Sequence, residues 1–129
     1  MPTHRDLTTL WTKTSAGSAP TDSTIPTADT EASDANGVRG SRFVIELDSI
    51  VSAGAGTGTV DIYLWDPRRP AWVKSSVSIP LAFTATTRGP ASRLSYEVDN
   101  IAPYGAICPV LSAITGTDAS VICRCASRG

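Results

Sequence analysis

From Arg42 onward the chain reads as short stretches in which apolar and polar side chains alternate one for one, each stretch ending at glycine or proline. Strict alternation places every second side chain on the same side of an extended backbone, so it specifies a strand with one dry face and one wet face. Residues 42–51 put Phe43, Ile45 and Leu47 on one face and Arg42, Glu46 and Asp48 on the other. Residues 59–65 set Val60, Ile62 and Leu64 against Asp61, Tyr63 and Trp65, and residues 92–99 set Leu94, Tyr96 and Val98 against Arg93, Ser95 and Glu97. The stretches 71–79, 81–86, 104–114 and 119–126 bring the expected total to about seven strands. Between them stand turn signals at 54–58, 66–70, 88–90 and 115–118. No window carries a helical stripe. Strands at roughly ten-residue spacing, broken by glycine and proline, predict an all-β fold, an antiparallel β-sandwich of jelly-roll-like type. Pro80, Pro103 and Pro109 cannot donate to a ladder and are expected at strand ends or sheet edges.

The composition shifts near Gly40. From residue 12 to residue 36, Thr, Ser, Ala, Asp and Pro dominate, and Ile25 is the one large apolar side chain. Such a segment buries too little to offset a backbone ordering cost of roughly 1–2 kcal/mol per residue. Residues 1–36 are therefore expected as an extended arm and residues 37–129 as the sandwich domain. Leu7, Leu10 and Trp11 form the arm's apolar cluster. They either pack back on the domain as an added strand or dock on a neighbouring subunit; with Ile25 they are the candidate partner-binding residues.

At 129 residues the chain has the length of one domain. Its 41% apolar and 18% charged residues are a globular composition. Eleven basic against twelve acidic side chains leave a net charge of −1, which argues against a protein that binds nucleic acid by neutralising phosphates. The opening residues Met1-Pro2-Thr3-His4-Arg5-Asp6 lack the apolar centre of a signal peptide. No run reaches the roughly 18 apolar residues of a membrane span, so a soluble intracellular product without a membrane partner is expected.

Three cysteines without a secretion signal read as reduced thiols. A two-residue hairpin loop at Gly116-Thr117 would set Cys108 opposite Cys125 and Val110 opposite Cys123; a loop one residue longer would turn Cys108 to the other face. Zinc would need a fourth ligand, and the one histidine is His4 in the leader. Gly54-Ala55-Gly56-Thr57-Gly58 resembles a phosphate-cradling loop, yet a strand follows it rather than a helix, so it reads as a flexible hairpin connection. Asp29, Glu31, Asp34 and Asn36 before Gly37 crowd oxygens without the spacing of a calcium loop, and read as solvated. A lone histidine excludes a histidine-based triad. Asp48, Asp61, Asp66 and Glu97 read as solubilising charges rather than a glycosidase pair. No catalytic residue, cofactor or metal site is expected. Tyr63, Trp65 and Trp72 are either core or intersubunit contacts, or a flat platform on which sugar rings stack.

As a whole, the chain resembles the small β-sandwich virion structural proteins of tailed bacteriophages. The likeness covers about residues 37–126: Gly37-Val38-Arg39-Gly40-Ser41-Arg42-Phe43 entering a strand, the glycine-rich segment before Val60-Asp61-Ile62-Tyr63-Leu64-Trp65, the Trp72-Val73 pair, and the closing Ile114-Thr115-Gly116-Thr117. The resemblance implies a non-enzymatic part of the particle, assembled in the host cytoplasm, such as a capsid decoration (cement) protein or a head- or tail-attached component. It implies partnership with the major capsid protein or other virion proteins and with further copies of itself. A carbohydrate-binding or host-adsorption module of a phage tail is the alternative.

Overall fold

The computed structural model describes residues 7–17, 20, 38–39, 42–99 and 106–128. They form β1 (Thr8–Lys13), β2 (Val38–Arg39), β3 (Arg42–Ile50), β4 (Ala53–Asp66), β5 (Ala71–Phe83), β6 (Arg93–Asp99), β7 (Ala106–Thr117) and β8 (Ser120–Arg128). A 3-10 turn at Pro90–Ser92 leads into β6, and the described residues contain no α-helix. Sheet one runs β1-β8-β3-β6 and sheet two runs β2-β7-β4-β5.

The pairing has a simple rule. The first strand pairs with the last, the second with the seventh, the third with the sixth and the fourth with the fifth, all antiparallel. Such an order is a long hairpin rolled into two layers, so neighbours in sequence fall in opposite sheets everywhere except at the tip between β4 and β5. This is the jelly-roll arrangement of the antiparallel sandwich. Alternation then does its work: Phe43, Ile45 and Leu47 of β3 face Val60 and Ile62 of β4, Ile107 and Leu111 of β7, and Ile79 and Leu81 of β5 in one core. Each such side chain contributes about 1.5–3 kcal/mol by leaving water.

The rolled order corrects three expectations. Residues 115–118 do not close a hairpin: β7 ends in sheet two and β8 starts in sheet one. Cys108 lies opposite Tyr63 of β4, while Cys125 lies opposite Ile45 and Thr8 in the other sheet. The chain turns between layers at Asp118, with φ 48°, and Ser52 braces the corner by donating through its amide to the Thr117 carbonyl at 2.9 Å. Residues 54–58 are not a flexible loop but the first part of β4. Gly56 is in contact so close that a Cβ there would lie 2.5 Å from the Phe83 ring and 2.6 Å from Val51.

Residues 71–83 are one strand across Pro80, because β5 is a sheet edge and an edge position need not supply an N–H. Pro109 sits inside β7 opposite Ile62 of β4, not at a strand end, and its carbonyl accepts from the Trp11 indole Nε1 at 3.0 Å. Pro103 and Ile25 lie outside the described residues.

For the arm, the structure selects the first of the two settings open to Leu10 and Trp11, the added strand. β1 belongs to the body: it adds to β8 as an edge strand of sheet one. A bulge between Thr9 and Trp11 lets two successive residues turn inward, and Leu10 and Trp11 are 8% and 5% exposed in the core. The reason is area. A tryptophan and a leucine bury enough surface to fix six residues of backbone when a free strand edge is waiting. β1 is thus a strand of the sandwich itself. Just past β1, the Gly17 amide donates to the Leu111 carbonyl at 2.8 Å and ties the segment to sheet two. Trp11→Ala is expected to cost about 3–5 kcal/mol through the cavity and the lost indole bond, read as a lowered urea midpoint; an unchanged midpoint would show β1 to be dispensable.

Candidate functional site

The outer face of sheet two is apolar where a wet face was expected. β4 directs Tyr63 and Trp65 outward, and Trp65 stands directly across from Trp72 of β5. The two indoles meet edge to face, with centroids 5.4 Å apart and planes at 72°. Ala106, Cys108 and Val110 of β7 join them in a second buried cluster, with Tyr63 half-buried beside it. Trp65 and Trp72 are 6% and 7% exposed, so neither offers an open ring face to a sugar. Of the settings open to Tyr63, Trp65 and Trp72, packing within the chain is the one found, and no stacking platform is presented. The signal was legible in β7, where residues 106–111 are apolar without alternation and so require cover on both faces. The Trp72 Nε1 is buried without a hydrogen-bond partner among the described residues.

Farther along the same face sits Asp61, 7% exposed. Ser78 Oγ donates to its Oδ1 at 2.8 Å and Lys74 Nζ lies 3.5 Å from its Oδ2. Burial alone would push this carboxyl up, but the hydroxyls of Ser78 and Ser112 and the Lys74 ammonium outweigh it and hold the carboxyl below its ordinary value of 3.8.

On the outer face of sheet one, Asp48 is 1% exposed and central to a charged network. The loop between β5 and β6 folds over it. Arg88 Nη1 lies 3.3 Å from Asp48 Oδ1 and donates to the Asp48 carbonyl at 3.0 Å, while Nη2 donates to Ser120 Oγ at 3.2 Å. Ser92 Oγ donates to Asp48 Oδ1, and the Gly89 amide donates to Ser92 Oγ at 3.0 Å. From β8, Arg124 bridges Glu46 at 3.0 Å and Asp48 Oδ2 at 3.8 Å. Two guanidinium groups around one carboxylate compensate its desolvation. The network clamps the loop between β5 and β6.

The remaining candidate carboxylates also have structural settings. Asp66 Oδ1 accepts the Arg68 amide at 2.9 Å and shapes the β4–β5 turn, and Glu97 lies on β6. Cys108, Cys123 and Cys125 are buried and form no disulfide. Burial pushes the Cys125 thiol up to about 12 and the Cys123 thiol well above its ordinary value, the latter with help from Cys125 and Cys108. Cys123 and Cys125 are therefore held as thiols rather than thiolates, and so are poor nucleophiles. Among the described residues no three His, Cys, Asp or Glu side chains converge to hold a metal ion. His4 and the acidic cluster 29–36 lie outside the described residues.

What the body does present is an open flank. β6 and β5 are the edges of their sheets on the same side of the sandwich. Between them lies a cleft of about 240 Å³ lined by Ser49, Leu81, Phe83, Ser92 and Leu94, among others. Leu94 and Tyr96 of β6 share the side of Leu47 and Ile45, their partners in β3, yet remain 40% and 39% exposed because the core's cover stops short of them. At the opposite margin Leu7, next to β1, is 40% exposed. Of the described residues expected to meet a partner, Leu10 and Trp11 are buried in the chain's own core and Leu7 is open. Alternation sets Leu94 and Tyr96 on one side of their strand, but it does not say whether anything lies over that side. Comparison of the chain with protein-family models, with curated proteins and with solved structures found no match.

Two outcomes follow. Asp48→Ala leaves Arg88 and Arg124 facing a vacated, water-poor site and is expected to destabilise by about 3 kcal/mol, measured by chemical denaturation against wild type. For Asp61 the folded value lies below the unfolded one, so the unfolded chain binds more protons in acid and the group's stabilisation is fully present well above pH 3.8. That stabilisation fades as pH falls through the folded value. In urea midpoints measured from neutral pH down past 3.8, Asp61→Asn is expected to flatten the acid limb.

Proposed function

We propose that this chain is a non-enzymatic structural protein of a tailed-bacteriophage particle, a capsid decoration or cement protein that acts through its surfaces. The observation that carries the reading is the placement of exposed apolar side chains at two opposite margins of a small rigid body. Leu7 lies beside the outer strand β1, and Leu94 and Tyr96 lie on the outer strand β6. A body built so can touch a shell with one margin and a neighbouring copy with the other, in keeping with the major capsid protein and further copies as partners.

Several features support this reading. Jelly rolls recur among viral capsid domains, a likeness of fold that favours the role without assigning it. The net charge of −1 lets many copies crowd on one lattice with little mutual repulsion. On a symmetric shell, weak contacts repeated side by side gain from effective concentration, so no single contact need be tight. Lectins use the same architecture, but the closure of Trp65 and Trp72 removes the surface on which a sugar-binding role was considered.

The test is cosedimentation of the full chain with tailed-phage particles recovered from its own source. The chain is expected to pellet with the particles, and Leu7→Asp to lower the bound fraction about tenfold while leaving the urea midpoint unchanged. A wild-type chain that stays in the supernatant would sink the proposal.

A further inference from the structure

The two sheets end in four edge strands, and three of them are blunted in the ways that natural edges usually are. β2 is two residues long. β1 is broken by the bulge between Thr9 and Trp11 and carries Lys13. β5 contains Pro80, Lys74 and a register break opposite Asp61 and Tyr63. β6 has none of these devices. It is seven residues long, free of lysine and proline, and pairs with β3 in unbroken register from Arg93 to Asp99. Among the described residues no strand lies on its other side, and Arg93 through Glu97 are all exposed.

Its sequence is also complementary to itself. Arg93 stands near one end and Glu97 near the other, with Leu94 and Tyr96 between them on the inward side. We propose that β6 pairs antiparallel with β6 of a second copy across a two-fold axis at Ser95. Arg93 then stands opposite the second copy's Glu97, Leu94 opposite the second copy's Tyr96, and Ser95 opposite itself. Directly opposed residues share a face, so each Tyr96 arrives beside a Leu94 that lines the cleft and covers apolar surface that one copy leaves open. The exposed backbone donors and acceptors of both edges are satisfied at the same time. Any slip by one residue would put the apolar pair against the wet face, and a parallel arrangement would set like charges side by side. The eight strands of the two copies' first sheets thus become one continuous sheet. An isologous contact of this kind closes on itself, so it yields a dimer and not a fibre.

The inference concerns the isolated chain and stands apart from the virion reading, because its test contains no particle. In sedimentation equilibrium of the purified full chain at rising concentration, the mass is expected to climb from one chain to two. Arg93→Glu and Glu97→Arg are each expected to weaken association about tenfold or more by opposing like charges. The double variant Arg93→Glu/Glu97→Arg is expected to recover it, while circular dichroism reports an unchanged fold in all three. Ser95→Cys is expected to yield a disulfide-linked dimer on oxidation with diamide, since opposed strand residues lie within disulfide reach and the native thiols are buried. A chain that stays monomeric throughout, or a dimer that neither single charge reversal weakens, would overturn the pairing.

Discussion

The seam between β3 and β4 is the constraint on which the remainder rests. These strands follow one another in the chain yet lie in opposite sheets, with the fully buried side chains Phe43, Ile45 and Leu47 on one and Val60 and Ile62 on the other. Once they are stacked rather than paired, each needs partners from elsewhere. β8 and β6 flank β3, and β7 and β5 flank β4. The close fit at the corner follows from the same stacking. Gly56 admits the Phe83 ring, and Gly116, at φ 127°, leaves room for Val51. Side chains at either position would push apart the layers they hold together.

Polar groups that the stacking buries are compensated locally. Asp48 sits under the loop that joins the sheets through Arg88 and Ser92, so the carboxylate fixes where that loop lies and the loop keeps the carboxylate dry. Removing either leaves the other without a reason for its position. The same logic holds for Asp61 with Ser78 and Lys74. These two sites contain the most buried acids among the described residues, and both serve architecture.

Much of this was legible before any coordinates. Alternation located β3, β4 and β6 and named their inward residues correctly, because period two is a property of the backbone itself. What alternation cannot convey is which strand lies beside which. Thr115-Gly116-Thr117 has the local chemistry of a hairpin, but the loop sits where layers change, and the energetics of the core decide that. Likewise Trp11 could be named as adhesive, yet whether it adheres to self or to another copy depends on a free edge at β8, a fact held about a hundred residues away in the sequence. The apolar run of β7 did carry the missing signal for the Trp65–Trp72 cluster. The exposure of Leu94 and Tyr96 carried none, since it depends on how far the opposite layer reaches.

The union of β1 with β8 has a temporal consequence. A ribosome releases the earliest strand long before the latest one, so the Trp11 indole must wait, solvated, until its acceptor strand β7 and then its ladder β8 exist. The shortest-range ladder lies instead at the β4–β5 tip, the one place among the described strands where chain neighbours are also ladder neighbours, and contacts of small sequence separation cost the least chain entropy to close.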